Sequence, residues 1–492
     1  MRRQSMVASF LHTALMSAIA LGLSAAAHAT SPTKQDIRRE VEQRVGVRVP
    51  AHERFTLPNG LTVILVQRKE VPLIAFSAVV RGGALADPAG SPGVASLVAG
   101  LLDKGAGKRD AFAFADAVAN VGGSFDAGAG NESIEVGGEF MSRDRELMIE
   151  LLADALLRPR LDAGEFDKLR ARQIELIKAA KDSDPSSLLS TYGRAFLFGN
   201  HPYGRPVDGS ERSLAAIKHE AVVSFHRDQM GAERSTLVFA GDFDSAWLRK
   251  AVTTAFGHWE HAGKPLPTLA APARIKGRRV LLVDAPGAVQ TYFWIGNVGV
   301  ARKYVGRPAL DLVNTLYGGR FTSILNSELR VKSGLSYGAS SAFARGSVAG
   351  EFAIRSFVLT ENTGKAVDLA LTTLDELHER PVAPDMLESA RAYVLGQYPL
   401  RLETAAHWAA TFGDLELYHL PLSYIEGYGP ALQAVDATAA NAVIADAFPK
   451  PEDVAIVMIG DAARIRADAV KLGPVTEMPL TAPDFAPASI VQ

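Results

Sequence analysis

From residue 54 onward, apolar positions follow two rhythms. The stretch "FTLPNGLTVILVQRKEVPLIAFSAVVRGG" holds two short apolar runs rich in Val, Ile and Leu, each tied to turn residues such as Pro58-Asn59-Gly60. This pattern predicts an antiparallel strand pair. Apolar residues then recur every three to four positions in "SPGVASLVAGLLDKGAG", "DAFAFADAVANVGG", "RDRELMIELLADALLRP" and "AGEFDKLRARQIELIKAAKD", which predicts helices. The class is α+β.

The pattern also repeats. "LLRPRLDAGEFDKLRARQI" is matched by "HERPVAPDMLESARAYVLG", and "STLVFAGDFD" by "DVAIVMIGDA". Pro159 and Gly241 are 82 positions apart, Pro381 and Gly460 79. Two similarities in the same order at nearly equal spacing imply homologous halves. "HAGKPLPTLAAPARIKGRR", rich in Pro, Ala, Gly and basic residues, suits the connection between them. The expected division is an N-terminal domain over 54–263, a linker over 264–277, a C-terminal domain over 278–470 and a tail over 471–492. Two such halves predict a two-lobed body with a ligand cleft between the lobes.

Ahead of these domains, Arg2 and Arg3 precede the apolar run "MVASFLHTALMSAIALGLSAAA" and then Ala27-His28-Ala29. This order is that of a cleavable export signal over 1–29, with a polar extension over 30–53, and it implies a periplasmic protein. A retained anchor is the alternative. No later run is apolar for long enough to span a bilayer. Signal removal leaves 50 basic and 54 acidic residues, a charge of −4, too mild to point to nucleic acid or an anionic membrane. Cysteine is absent, so any metal would need His, Asp or Glu.

"LPNGLTVILV", "VVRGGALADPAGSPGVASLVAGLL", "FGNHPYGRPVDG", "VFAGDFD" and "GGRFTSILNSELRVKSGLSYGASSAF", in this order, resemble the pitrilysin or insulinase-type (M16) zinc peptidases over roughly residues 55–470. The resemblance implies two homologous M16-type domains, each an antiparallel-rich sheet packed with helices, facing each other across a cleft. Active members carry H-x-x-E-H on the helix after the Gly-Gly and Pro-Gly segment. There, histidines at i and i+4 share a helix face and one zinc ion, and the Glu polarises the bound water. The corresponding positions here begin at Ser96 and end with Ala99 and Gly100, while the third-ligand Glu aligns with Ile177. Glu175 lies two residues from it, about 200° around a helix. The resemblance therefore implies no metal bound by this chain and no catalytic residue of its own.

Other histidines do not make up the loss. His219 and His226 are seven apart, on the order of 10 Å along a helix. His258 and His261 precede the linker, and His201 suits a loop-holding hydrogen bond. Ser96 lacks the sharp turn and base that a nucleophile needs. In the second half, the resemblance associates Arg330 and Tyr337 with gripping substrate, through a guanidinium fork and a phenol donor. Asn131 and Glu132 lie where relatives present an edge strand to a peptide backbone. The glycines of "YGGRFTS" suit tight turns.

The function these resemblances imply is a non-catalytic, substrate-binding subunit of a heteromeric periplasmic M16 metallopeptidase. A homologue bearing H-x-x-E-H would supply the zinc. The alternatives are a peptide-binding or assembly scaffold with no protease role, and a self-sufficient metallopeptidase with a relocated metal site.

Overall fold

The computed structural model describes residues 46–487. The export signal and the extension up to residue 45 lie outside the described residues. The first half is built on a six-stranded sheet in the order β1-β2-β8-β3-β7-β6. Its strands are β1 (Glu53–Thr56), β2 (Thr62–Gln67), β3 (Leu73–Arg81), β6 (Ser124–Ala129), β7 (Ser133–Met141) and β8 (Ser235–Gly241). A small ribbon of β4 (Gly105–Ala106) and β5 (Arg109–Asp110) stands apart.

The two apolar runs at the start of this half do run antiparallel, but they are not neighbours. β8 lies between them, parallel to β2 and antiparallel to β3. The turn at Pro58-Asn59-Gly60 closes a different hairpin, β1 on β2, with Gly60 at φ 85°. β8 joins from almost 170 residues away in sequence, because its central position buries Leu237, Val238 and Phe239 on both faces.

The second half repeats this plan with β9 (Arg279–Asp284), β10 (Gln290–Val298), β11 (Ser336–Phe343), β12 (Glu351–Leu359), β13 (Ala455–Gly460) and β14 (Val475–Pro479). The order is β11-β12-β10-β13-β9-β14. β13 runs parallel to β9 and antiparallel to β10, as β8 does to β2 and β3. The internal repeat read from "STLVFAGDFD" and "DVAIVMIGDA" is this pair of equivalent central strands. β14 falls inside the stretch expected to be a tail. It is an edge strand, parallel to β9. Beyond it the chain returns to the first half, where Lys181 Nζ donates to Ala482 O at 2.6 Å and Phe485 meets the ring of Tyr192 edge-on at 5.0 Å.

The halves also exchange helices. Helix Leu189–Phe198 of the first half packs on β10 and β13, and helix Ala405–Leu417 of the second packs on β3 and β8. Both helices carry a glycine where they cross. A Cβ on Gly193 would stand 2.7 Å from the Trp294 ring, and one on Gly413 would stand 2.9 Å from Val79 Cγ2. Each half thus completes the other's core, and Trp294 is fully buried in a cluster dominated by first-half residues.

Candidate functional site

Helix Val94–Leu101 sits where the resemblance puts the metal-binding helix. Asp87 organises its start. Its carboxylate accepts from Gly93 N at 2.8 Å and Ala95 N at 2.7 Å, satisfying donors that no intrahelical carbonyl reaches. Burial pushes the Asp87 carboxyl up to about 7, against the pull of these two N–H groups and of Arg205.

The side chains on this helix are tied into packing. Ser96 Oγ donates to Asp208 Oδ1 at 2.8 Å and accepts from Gln173 Nε2 at 3.0 Å. Ala99 is fully buried, and a Cβ on Gly100 would stand 2.9 Å from Leu169 Cδ2, so the small residues bring helix Ala163–Ser183 close. Ile177 is buried on that second helix, while Glu175 points outward and pairs with Lys178 at 2.9 Å. These residues do not fit a zinc ion: beside the Ser96 hydroxyl and the Gln173 amide stands a single carboxylate, Asp208, already engaged by Ser96. Among the described residues, no three His, Asp or Glu side chains are gathered closely enough to hold a metal.

The histidines singled out in the sequence are engaged elsewhere or exposed. His219 Nε2 and His226 Nε2 lie 2.5 and 2.9 Å from the carbonyls of Leu161 and Leu156. Burial lowers the pKa of His226. His258 and His261 are exposed. His201 Nδ1 accepts from Tyr203 N, and Nε2 lies 2.9 Å from Ala270 O, fastening its loop to the connection between the halves.

Asn131 and Glu132 lie past the open edge strand, in the turn from β6 to β7. That turn is bound to the Gly-Gly segment: Ala84 N donates to Gly130 O, Leu85 N to Asn131 O and Gly82 N to Glu132 O. Gly83, at φ 52°, would place a Cβ 2.5 Å from Gly130 O, so only glycine allows this approach. The Glu132 carboxylate is buried between the halves. It accepts from Tyr203 OH at 2.5 Å, from Ser347 N at 3.0 Å and from Ser347 Oγ. Burial and Glu132 together push the Tyr203 phenol up to about 12. The structure thus engages Glu132 as a brace between the halves. The strand edge left open is β6 itself, where a Cβ on Gly128 would meet nothing within 4 Å.

Between the halves lies a cavity of about 90 Å³ beside Glu132. A larger groove, about 600 Å³, lies on the second half and is bordered by Ser186 and Leu189 of the first. Arg330 lines it from the π-helical turn Ser327–Lys332, with its guanidinium 4.8 Å above the ring of Phe321. Tyr337 stands on β11 at a register shift between Ser336 and Ala339, a bulge that re-aims the side chain outward. It is 65 % exposed and stacks on Phe357, a groove residue, at 5.9 Å. Ser336 fixes the bulge by accepting from Gly338 N at 3.0 Å, and Asn326 Oδ1 accepts from Ala339 N at 3.0 Å.

Arg330 therefore lines this groove and Tyr337 stacks on Phe357, one of its lining rings, both apart from the network around Glu132. Gly318 and Gly319 sit on its floor, neither with positive φ. Gly318 is needed for closeness rather than for a turn, since its Cβ would lie 2.3 Å from Ser341 Oγ. Sequence reasoning missed Arg320 and Arg355, which also line the groove. The alternation of "EFAIRSFVL", which places an arginine in a strand otherwise turned to the core, was the available signal for Arg355.

Two family models match the chain: the one described as insulinase, peptidase family M16, over residues 62–210, and the one described as the peptidase M16 inactive domain, over 216–394. An uncharacterized zinc protease of Mycobacterium leprae is 28 % identical over 384 residues, covering 78 % of this chain and 85 % of that protein. One of Bacillus subtilis is 21 % identical over 407 residues, covering 83 % and 98 %. The same fold occurs in the crystal structure of a peptidase M16 inactive domain from Pseudomonas fluorescens, with TM-score 0.78, 23 % identity and coverage of 83 % of this chain and 98 % of that one. A protease from Helicobacter pylori superposes with TM-score 0.76 at 21 % identity, covering 84 % and 100 %. With both family models matching in order along one duplicated fold, the chain belongs to the M16 peptidase family.

Proposed function

We propose that this chain is a non-catalytic, substrate-binding subunit that completes the active site of a zinc-bearing homologue in a periplasmic peptidase. The observation that carries the reading is a contrast. The helix positions that hold metal and polarise water in active members are occupied by Ser96, Ala99 and Gly100 in close packing, whereas Arg330 lines an open groove and Tyr337 stacks, exposed, on Phe357 of that groove. A guanidinium there can hold peptide carbonyls, and a phenol can donate to an oxygen that gains charge. Neither group activates water, so the chain's part in hydrolysis is to bind and orient the peptide.

Co-expression of the chain with a homologue bearing H-x-x-E-H tests this reading. The mixture should cleave peptides and either chain alone should not. Tyr337→Phe should lower turnover by roughly 10²-fold, the usual loss of one oxyanion donor. Arg330→Ala should act chiefly on KM. Full activity of the mixture with both substitutions would overturn the assignment, and capture of the chain only within an assembly lacking peptidase activity would favour a scaffold.

A further inference from the structure

The groove holding Arg330 is lined by three arginines, Arg320, Arg330 and Arg355, and by no carboxylate. Two of the three are partly withdrawn from water. Arg320 Nη1 donates to Ser389 O at 3.1 Å and Ser389 Oγ at 3.0 Å, while its Nε is sealed from solvent without a partner. Arg355 projects from β12, and its Nε is also sealed and unpartnered. Among the described residues it makes no ion pair. Glu351 favours its charge but also lies 3.9 Å from Arg194, which opposes it. Desolvation lowers the pKa of Arg355 accordingly. The aromatic rings of Tyr292, Phe321 and Phe357 line the same groove.

A partly desolvated guanidinium that no carboxylate pairs directly is costly to hold, and its rigid fork matches a carboxylate through two parallel hydrogen bonds. We propose that Arg355 and Arg320 form a subsite for a peptide carboxylate, with the neighbouring rings receiving the apolar part of the same residue. The carboxylate is a free C-terminus or an Asp or Glu side chain. This assignment rests on the reading of Arg330 and Tyr337 as peptide-binding groups and adds what the groove selects.

The test is fluorescence anisotropy of the full chain with labelled peptides of one sequence. One has a free C-terminus and an internal Glu, a second has an amidated C-terminus, a third has Gln for Glu, and a fourth has both changes. The fourth should bind at least ten-fold more weakly than the first. Loss with amidation alone identifies a C-terminal carboxylate, and loss with Gln alone identifies a side chain. Arg355→Met should abolish the discrimination and raise the thermal unfolding midpoint, since an uncompensated cation leaves a partly buried site. Arg330→Ala should weaken all four peptides alike. Equal affinity for all four, still weakened by Arg330→Ala, overturns the subsite while leaving the peptide-binding reading intact. Discrimination that survives Arg330→Ala with no loss of affinity overturns the role of Arg330 and leaves the subsite. Binding of none overturns both.

Discussion

Two buried carboxylates carry opposite duties. Asp87 holds the start of the Val94–Leu101 helix, and its pKa rises from 3.8 to about 7 because burial outweighs its N–H partners. A folded-state pKa above the unfolded one means that the folded chain binds the extra proton between those values. The contribution of Asp87 to stability should therefore be greatest below about pH 4, decline as pH rises to about 7, and level off above it. Asp87→Asn should flatten that slope, as urea titrations across the range would show. Glu132 is a brace instead. Glu132→Ala leaves Tyr203 OH and Ser347 N buried without an acceptor, a cost of about 1–3 kcal/mol for each group, to be read from the same titrations at pH 7. Tyr203→Phe should cost less, because Ser347 keeps its partner.

At the level of elements, the exchanged helices make a sharp prediction. Gly193→Leu drives a side chain into Trp294, and Gly413→Leu drives one into Val79. Each should lower stability by about 1–3 kcal/mol or more through overpacking. Moreover, because each helix covers the other half's sheet, both substitutions should loosen both halves in hydrogen exchange. What the sequence could reveal follows the range of the interaction. Helical periods and the β8 and β13 repeat are local patterns, and they were legible. The insertion of β8 between β2 and β3, the helix exchange and β14 were not, because each is decided by a surface contributed from far along the chain. Nothing in "LSTYGRAFLF" says which sheet it will cover; only the glycine opposite Trp294 marks the contact.

For the whole molecule, the candidate site divides in the same way. The loss of the metal-site groups at Ser96, Ala99, Gly100 and Ile177 is read from residue types alone, since a hydroxyl, a methyl, a hydrogen and a branched alkyl group cannot replace two imidazoles and two carboxylates. The grouping of Arg330 with Arg320 and Arg355 depends on strand β12 lying beside β11, and so needed the fold. Glu132 shows another limit of the sequence: a polar residue beside an edge strand suits ligand contact, while the fold engages its carboxylate with Ser347 and Tyr203. The proposed dependence on a partner for catalysis rests on a first half whose residues do not fit a metal ion. Its most direct test is the zinc content of the purified full chain by atomic emission after dialysis against trace zinc. Far less than one ion per chain and no peptide cleavage are expected, whereas one tightly held ion whose removal by chelator abolishes cleavage by the isolated chain would overturn the proposal.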